Sequence, residues 1–560
     1  MPARAKHKPT EYEKALRLYR FASSRHVLVL EADMPEDMKR RAFGLSEQLR
    51  TGGNEVTAHL SKAMGQLFRT KEYRGLAKAY GTLSGKLKAN PDDRDLLAER
   101  KAIANRMSAM QKAYHATWED TRKHMMFLKD RDGIDSIFAL SRAEDIWDGA
   151  ENVLYHGADR LHFKKRGDLP EIRAKQANRG IVLSVRNGRL YFSCRAVGKD
   201  PFTYKAPDRF QSDELAAVLH YMEAPKAHDR DAVRTMLGTG EITDTCRPCF
   251  ASLVCREIRG RLRVYIHLTV EGMPVPKYKS DGITPRHAYG TGKVGADIGT
   301  QTVAYTSDTE VGLRNLSERG MAIRKSERLE RILQRKLDRS RRAMNPGNYH
   351  ADGTVRRGRK TWVMSRRGKE VRRRYRELCR KNADSRKYAI REDAHHLRSL
   401  GDVLITEPPN FRALQKRAKP AAQNDKSAAA PSGRKRRKRF GRTIRNRCPG
   451  AFQAALKEVF LSTGGSYHEV DKNFRASQYD HTGDAYIKKK LSQRMFDLTD
   501  GSHVQRDWYS SFLLYNADRD YAAPDRGRCI QTFDKLFRMH LCMIEDIKRS
   551  GVHVMNSGIL

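Results

Sequence analysis

Two runs of alternating character, ASLVCREI and RLRVYIHLTV, flank the pair Arg259-Gly260, and few folds can accommodate them. In the second run Val264, Ile266, Leu268 and Val270 alternate with Arg263, Tyr265, His267 and Thr269. That period of two sends one set of side chains to each face of a strand. The pattern predicts a β-hairpin with one buried face and one basic or polar face. A second hairpin is expected from IVLSV and RLYFSC across the turn pair Asn187-Gly188. The early segment KALRLYRF reads as a further strand of the same β domain, with a helical region inserted after it. From Met34 to Tyr155 the only prolines are Pro35 and Pro91, and apolar residues recur at helical spacing, so this insert is expected to be a helical bundle.

The charge narrows the class of function. Among 560 residues, 110 Lys and Arg stand against 67 Asp and Glu, a formal net charge of +43. Such a field repels itself unless a polyanion neutralises it, and nucleic acid is the leading partner. A hydrophobic content of 39% separates the chain from disordered basic tails. At about 150 residues per domain, the length predicts three to four units. The start, MPARAKHKPTEYEK, is charged, and nowhere do enough apolar residues run together to span a bilayer, so neither secretion nor a membrane location is expected. Eight Cys scattered from Cys194 to Cys542 form no dense disulfide framework, which fits a reducing cytoplasm.

Past Gly290, VGADIGTQTVAYTS reads as two short apolar strands joined by a tight turn at Gly299, and DVLITE as a third strand farther on. Between them lie the basic helical segments SERLERILQRKLDRSRRA and RRGRKTWVMSRRGKEVRRRYRELCRK. Lys419 to Gly433 reads as a mobile loop from its Ala, Pro and Ser content, and it leads into RKRRKRFGRTIRNR, nine basic residues with no acid. A last helix is expected with Phe533, Leu536, Phe537, Leu541, Ile544 and Ile547 on one face.

Three carboxylates stand among apolar neighbours. Asp297 ends a strand in GADIGT, Glu407 ends another in VLITEPP, and Asp507 opens an apolar helix in QRDWYSSFLL. Buried bare, each would cost several kcal/mol, so each must be solvated, paired or metal-bound. Alone, each is a cap or a surface acid. Converged, they would make a hard oxygen cage for magnesium, suited to in-line hydrolysis of a phosphodiester that leaves a 5′ phosphate.

In this order, a strand with GxDxG, a long basic helical span, a strand ending in Glu, then SQ and an RD-x-x-x-S helix resembles the split RuvC nuclease of the TnpB transposon proteins and the compact type V CRISPR effectors of the Cas-twelve family. The nuclease resemblance covers about Lys293 to Asn516; the regions before it resemble the family's wedge and recognition domains by order alone. The resemblance implies a multidomain α+β protein with a helical recognition lobe, a β-barrel wedge domain and an RNase H-like (RuvC) α/β nuclease domain. It places the start of the wedge at 1–30, the recognition domain at 31–160 and the rest of the wedge at 161–288. The nuclease follows at 289–475, with a basic helical insert at 320–400 and a flexible basic loop at 419–447, then a ribbon-like insert at 476–506 and the last nuclease part at 507–560. It implies a cytoplasmic, prokaryotic or phage-encoded RNA-guided DNA endonuclease of antiviral defence, in which a guide RNA, with or without a second RNA, pairs with double-stranded target DNA beside a short flanking motif. Asp297, Glu407 and Asp507 would be its magnesium ligands and catalytic residues, with two ions expected. A guided protein that silences by occupancy without cutting, a basic RNA-binding structural protein in which the three acids are accidental, and a transposon-encoded nuclease are the alternatives; length and the missing ribbon cysteines favour the CRISPR origin over the transposon one.

The departure from the family is the ribbon. Where relatives carry two C-x-x-C pairs, this chain has Asp480, Gly483, Asp497 and Asp500, so no zinc is expected, and the finger should be held by packing of Tyr479, Tyr486, Leu491, Phe496 and Leu498. A different metal on Asp480, His481, Asp497, Asp500 and His503 is the less favoured reading. Nucleic-acid contacts are expected from Arg434, Lys435, Arg436, Arg437, Lys438, Arg439 and Arg506. Cys246 and Cys249 read as two unrelated thiols, and His395 and His396 as ordinary helix residues. Trp508 and Tyr509 could stack on a base or serve as core.

Overall fold

The computed structural model describes residues 10–174, 179–317, 323–408, 410–415, 441–471, 473–490 and 492–559. The chain divides into two units, Met1–Pro276 and Lys277–Leu560.

In the first unit, strand β1 (Arg25–Asp33) leads into five consecutive helices, Glu36–Leu67, Lys71–Ala89, Arg94–Ala113, Trp118–Asp132 and Ser136–Tyr155. The chain then returns through β2 (Ile172–Arg173), the hairpin β3 (Val182–Arg186) and β4 (Arg189–Ser193), and β5 (Thr203–Tyr204). Two helices, Arg209–Glu223 and Pro225–Thr239, precede the long hairpin β6 (Pro248–Ile258) and β7 (Arg261–Glu271). Both hairpins turn where expected: Asn187 and Gly188, and Arg259 and Gly260, take the positive φ that the right-handed twist of the strands requires. Val264, Ile266, Leu268 and Val270 are all buried.

The sheet order is β2-β6-β7-β1-β5, entirely antiparallel. Among the described residues it does not close, so the expected barrel is an open five-stranded sheet. Its two edge strands, β2 and β5, have two residues each and do not pair with one another. The KALRLYRF strand also needs correction. That segment lies within the helix Glu11–Ala22, opened by a capping box between Thr10 and Glu13. Its Ala15, Leu16 and Tyr19 recur at helical spacing and pack on Ala232 and Val233. The strand is the next segment, RHVLVLEAD, which pairs with β7 from Arg25↔Glu271 to Glu31↔Tyr265. The bundle and the sheet share one core, in which Leu28 and Leu30 join Met38, Leu45 and Ile266.

The second unit is built on a mixed sheet. Strands β8 (Lys293–Ile298), β9 (Thr302–Ser307) and β10 (Val311–Asn315) form an antiparallel meander. After the helices Ile323–Met344 and Arg366–Leu400, β11 (Val403–Thr406) inserts beside β8 and parallel to it, and β12 (Ser466–Glu469) adds parallel to β11 after the helix Pro449–Ser462. The order is therefore β10-β9-β8-β11-β12, with only β9 reversed. Both faces are covered, and every residue of β9 is buried, Thr302, Thr306 and Ser307 included. Helices Arg366–Leu400 and Pro449–Ser462 bury Ile390, Leu397, Phe452 and Phe460 with Val294, Ala296 and Leu404. Helices Arg506–Tyr515 and Arg526–Ser550 bury Phe512, Phe533 and Leu536 with Ala304 and Ile405 on the other face. On the last helix Leu541 is exposed, and Cys529, His540 and Met543 take the buried positions instead. The ribbon consists of two small hairpins, β13 (Tyr479–Asp480) with β14 (Ala485–Tyr486) and β15 (Met495–Asp497) with β16 (His503–Gln505).

Candidate active site

Parallel pairing of β11 with β8 sets the first two carboxylates. Val403 lies opposite Lys293 and Thr406 opposite Ala296, so the next step in register puts Glu407 beside Asp297. Adjacent residues in register point to the same face of a sheet. Ile405 faces the helix Arg506–Tyr515, and Glu407, two residues on, faces it too. Asp507 stands in the first turn of that helix, whose N-cap Gln505 accepts from the Trp508 N–H at 2.7 Å.

Burial and mutual repulsion govern the charges. Desolvation, then Glu407 and Asp507, push the Asp297 carboxyl well above the usual carboxylate range, against the pull of Arg506 and Arg494. Burial raises Glu407, opposed by a hydrogen bond from the Ala476 backbone, and it raises Asp507, opposed by Arg494, Gln505 and Arg506. The Arg494 guanidinium stands 3.5 Å from Asp507 Oδ1. A donor set made only of carboxylate oxygen, with its charges in mutual repulsion, fits a hard divalent cation that would relieve it. Among the described residues no three His, Cys, Asp or Glu side chains are drawn together into a metal cage, and the three acids are electrostatic neighbours.

The residues behind Asp507 are core. Trp508 and Tyr509 are almost fully buried, which removes them as base-stacking platforms. Trp508 stacks on His540 with ring centroids 4.0 Å apart, and the Tyr509 hydroxyl meets His481 Nδ1 at 2.8 Å. His540 Nε2 accepts from the Gln505 N–H, and burial pushes its imidazole down to about 3, so it is neutral. His395 stacks on His287 at 3.7 Å, and His396 meets Glu310 at 3.1 Å, so both join their helix to neighbouring segments. Cys246 and Cys249 are free thiols that burial pushes up.

In the ribbon, the carboxylate of Asp480 stands between the two hairpins. Asp480 is 2% exposed. Its Oδ1 accepts from the Thr482 N–H (3.0 Å), the Thr482 hydroxyl (2.7 Å) and the Gly483 N–H (3.4 Å). Its Oδ2 accepts from the N–H (2.9 Å) and hydroxyl (2.8 Å) of Thr499, which follows β15. One side chain thus ties both hairpins. Thr499 presses so closely on Gly483 that a Cβ there would meet its Oγ1 at 2.4 Å, which explains the glycine. Asp497 pairs with His503 and Asp500 caps its own turn at Ser502, so these side chains are directed to local partners. Tyr479, Phe496 and Leu498 are buried as expected, but Tyr486 is exposed, and Leu491 lies outside the described residues. Sequence reasoning missed the hub because an acid beside a turn reads as solvated; the Asp-x-Thr spacing was its one local signal.

Arg506 donates from Nη1 to the Lys490 carbonyl at 3.1 Å, which ties it to the ribbon. The run Arg434, Lys435, Arg436, Arg437, Lys438 and Arg439, and the loop 419–433, lie outside the described residues.

No protein-family model matches the chain, and no curated protein matches it. Among solved structures, the protein of the cryo-EM structure of the Cas12f1-sgRNA-target DNA complex aligns with it at 11% identity, over 88% of this chain and 99% of that one, with a TM-score of 0.22. Overlap at that level does not define a common fold. No helix among the described residues is long and apolar enough to cross a membrane.

Proposed function

We propose that the chain is an RNA-guided DNA endonuclease whose RNase H-like (RuvC) domain hydrolyses target DNA at Asp297, Glu407 and Asp507. The observation that carries this reading is the register of β11 on β8, which brings Glu407 beside Asp297 beneath the helix of Asp507. The strand order, with a three-stranded meander extended by two parallel strands, supports the RNase H-like assignment. The net charge of +43 supports nucleic-acid partners, a guide RNA and double-stranded DNA. Asp297, Glu407 and Asp507 would hold magnesium, whose chemistry when bound is activation of a water and stabilisation of the leaving oxygen. Arg494 balances the charge of Asp507. The bundle at 31–160 and the sheets at 161–288 would serve as recognition and wedge domains, and the ribbon as a target-binding insert without zinc.

A second reading, guided binding without efficient cutting, draws on the finding that among the described residues no three acids are drawn together as a metal cage. One experiment separates the two. RNA that co-purifies with the protein is sequenced, a matching labelled DNA is offered, and cleavage is followed with magnesium and with chelator. Cuts that require magnesium and both nucleic acids support the nuclease; stable binding without cuts supports occupancy.

A further inference from the structure

The helices Ile323–Met344 and Arg366–Leu400 form a hairpin, and their connecting loop is a built object. Asn345 is buried and bridges the two ends of the loop. Its Nδ2 donates to the carbonyls of Arg341 (2.8 Å) and Val363 (2.9 Å), and its Oδ1 accepts from the Val363 N–H (2.7 Å). Asn348 adds a bond to the Thr361 carbonyl, and Tyr349 bridges to Val355. The Arg341 guanidinium lies 3.6 Å over the Trp362 ring, while Tyr349 meets that ring at a T-shaped 5.8 Å. At the base of the loop Gly368 admits Ser340, whose Oγ would stand 2.7 Å from a Cβ there.

This scaffold carries charge with nothing to neutralise it. From Arg339 to Lys369 there are ten Lys and Arg and one acid, Asp352. The Asp352 carboxylate is engaged by the N–H and hydroxyl of Thr354. Arg356, Arg357 and Arg359 are exposed and Lys360 is half-buried. Arg356 donates to the Tyr349 carbonyl and Lys360 to that of Arg357, and among the described residues none of the four is paired with a carboxylate. A loop held rigid at both ends, with four cations on one short segment, has spent its ordering entropy before a ligand arrives.

We propose that this loop is a docking site for the sugar-phosphate backbone of a double-stranded nucleic acid, bound without reading its sequence. Charge complementarity names the ligand. The absence of sequence reading follows from the four side chains, whose cationic ends suit phosphate oxygen, while the 37% exposed Trp362 already carries Arg341 over its ring and Tyr349 at a T-shaped contact. The proposal rests on the nucleic-acid reading above and adds a surface to it. Guide RNA and target DNA share the phosphate chemistry, and the test tells them apart.

The test is binding of the full chain to a random-sequence DNA duplex and to an RNA duplex of equal length, across a salt series in chelator. Cleavage does not contribute there, so failure of the nuclease assignment leaves this result readable. The variant R356Q/R357Q/R359Q/K360Q should lower the log-log salt slope by roughly two to four units on one duplex or both, at about 0.9 per DNA phosphate contact. The duplex that loses slope is the source of the phosphate. Asn345→Ala keeps every charge, and should keep most of the slope while weakening affinity several-fold. Should the fourfold variant melt early, R357Q/R359Q, at two exposed positions, should show about half the change in slope. Unchanged slopes on both duplexes would overturn the proposal, and parental affinity in the Asn345 variant would overturn its pre-organisation.

Discussion

Gly295 lies against Ser511: a Cβ on the glycine would stand 2.2 Å from the Ser511 carbonyl oxygen and 2.3 Å from the Tyr515 nitrogen. The Ser511 hydroxyl also meets Thr306 Oγ1 of β9 at 2.7 Å, so the helix is bonded to the sheet where it touches it. From this contact, two residues along β8, about 6.7 Å, lead to Asp297, and one helical turn back, about 6 Å, leads to Asp507. The missing side chain at position 295 is what lets the two acids share a site.

Gly295→Ala should therefore lift the helix from the strand. A loss of about 1–3 kcal/mol of stability is expected, as for overpacked cores, with cleavage impaired beyond what that loss explains. Thermal melts and single-turnover cleavage of the same preparation check it, and parental values in both would remove the contact from the account of the site.

Asp297→Asn should abolish cleavage and leave DNA binding nearly intact, since pairing with the guide supplies recognition. It should also raise the melting temperature of metal-free protein, because it removes one of three mutually repelling carboxylates. Substantial magnesium-dependent cutting by this variant would falsify the catalytic assignment.

Arg494→Ala should lower the cleavage rate by about 100-fold, the scale of losing one preorganised charge partner at a reacting centre, with little effect on DNA affinity. Arg494→Lys should recover part of it. If rate and affinity fall together in both variants, Arg494 serves the ribbon's structure and not the chemistry.

The ribbon should ignore zinc chelators and yield to acid. Burial raises the Asp480 carboxyl, but the bonds from Thr482 and Thr499 outweigh it and hold the group below its ordinary value. A carboxylate depressed in the folded state adds stability above its unfolded value, about 3.9, and that stability is lost as the pH falls through the lower folded value. Asp480→Asn should cost about 1–3 kcal/mol at neutral pH, by leaving buried donors poorly matched, and should flatten the acid dependence. Hydrogen exchange of residues 479–505 reports both effects. A stoichiometric zinc found by elemental analysis would reverse the picture.

The outcome divides by the physical origin of each signal. Strands β8, β9 and β11 were legible because strands covered on both faces carry short apolar runs, and the hairpin turns because only a few residue pairs tolerate positive φ. Strands β10 and β12 were not: VGLRN and SYHE are short and lack alternation, and they form because the sheet beside them offers a ladder. The KALRLYRF segment alternates locally, yet the capping box ahead of it and its contact with Ala232 and Val233 decide for helix. The three acids could be named one by one, but their meeting depends on a register and on one glycine contact that link distant parts of the chain. The Asp480 hub depends on Thr499 across the finger, a pairing no local pattern announces.

The parallel ladder between β8 and β11 has an architectural consequence. Asp297 and Glu407 are aligned by backbone bonds at the two ends of a long excursion, of which the last turns of Arg366–Leu400 pack on the two strands. The part of the excursion that packs on the sheet, with Ile390, Ala394 and Leu397, must stay, but the far end of the hairpin around Asn345 to Ser365 can be varied while the chemistry stays in tune. The tip of the basic helical hairpin is thus an interchangeable attachment on a fixed chassis, and new nucleic-acid grips can be tried there at little hazard to the cut.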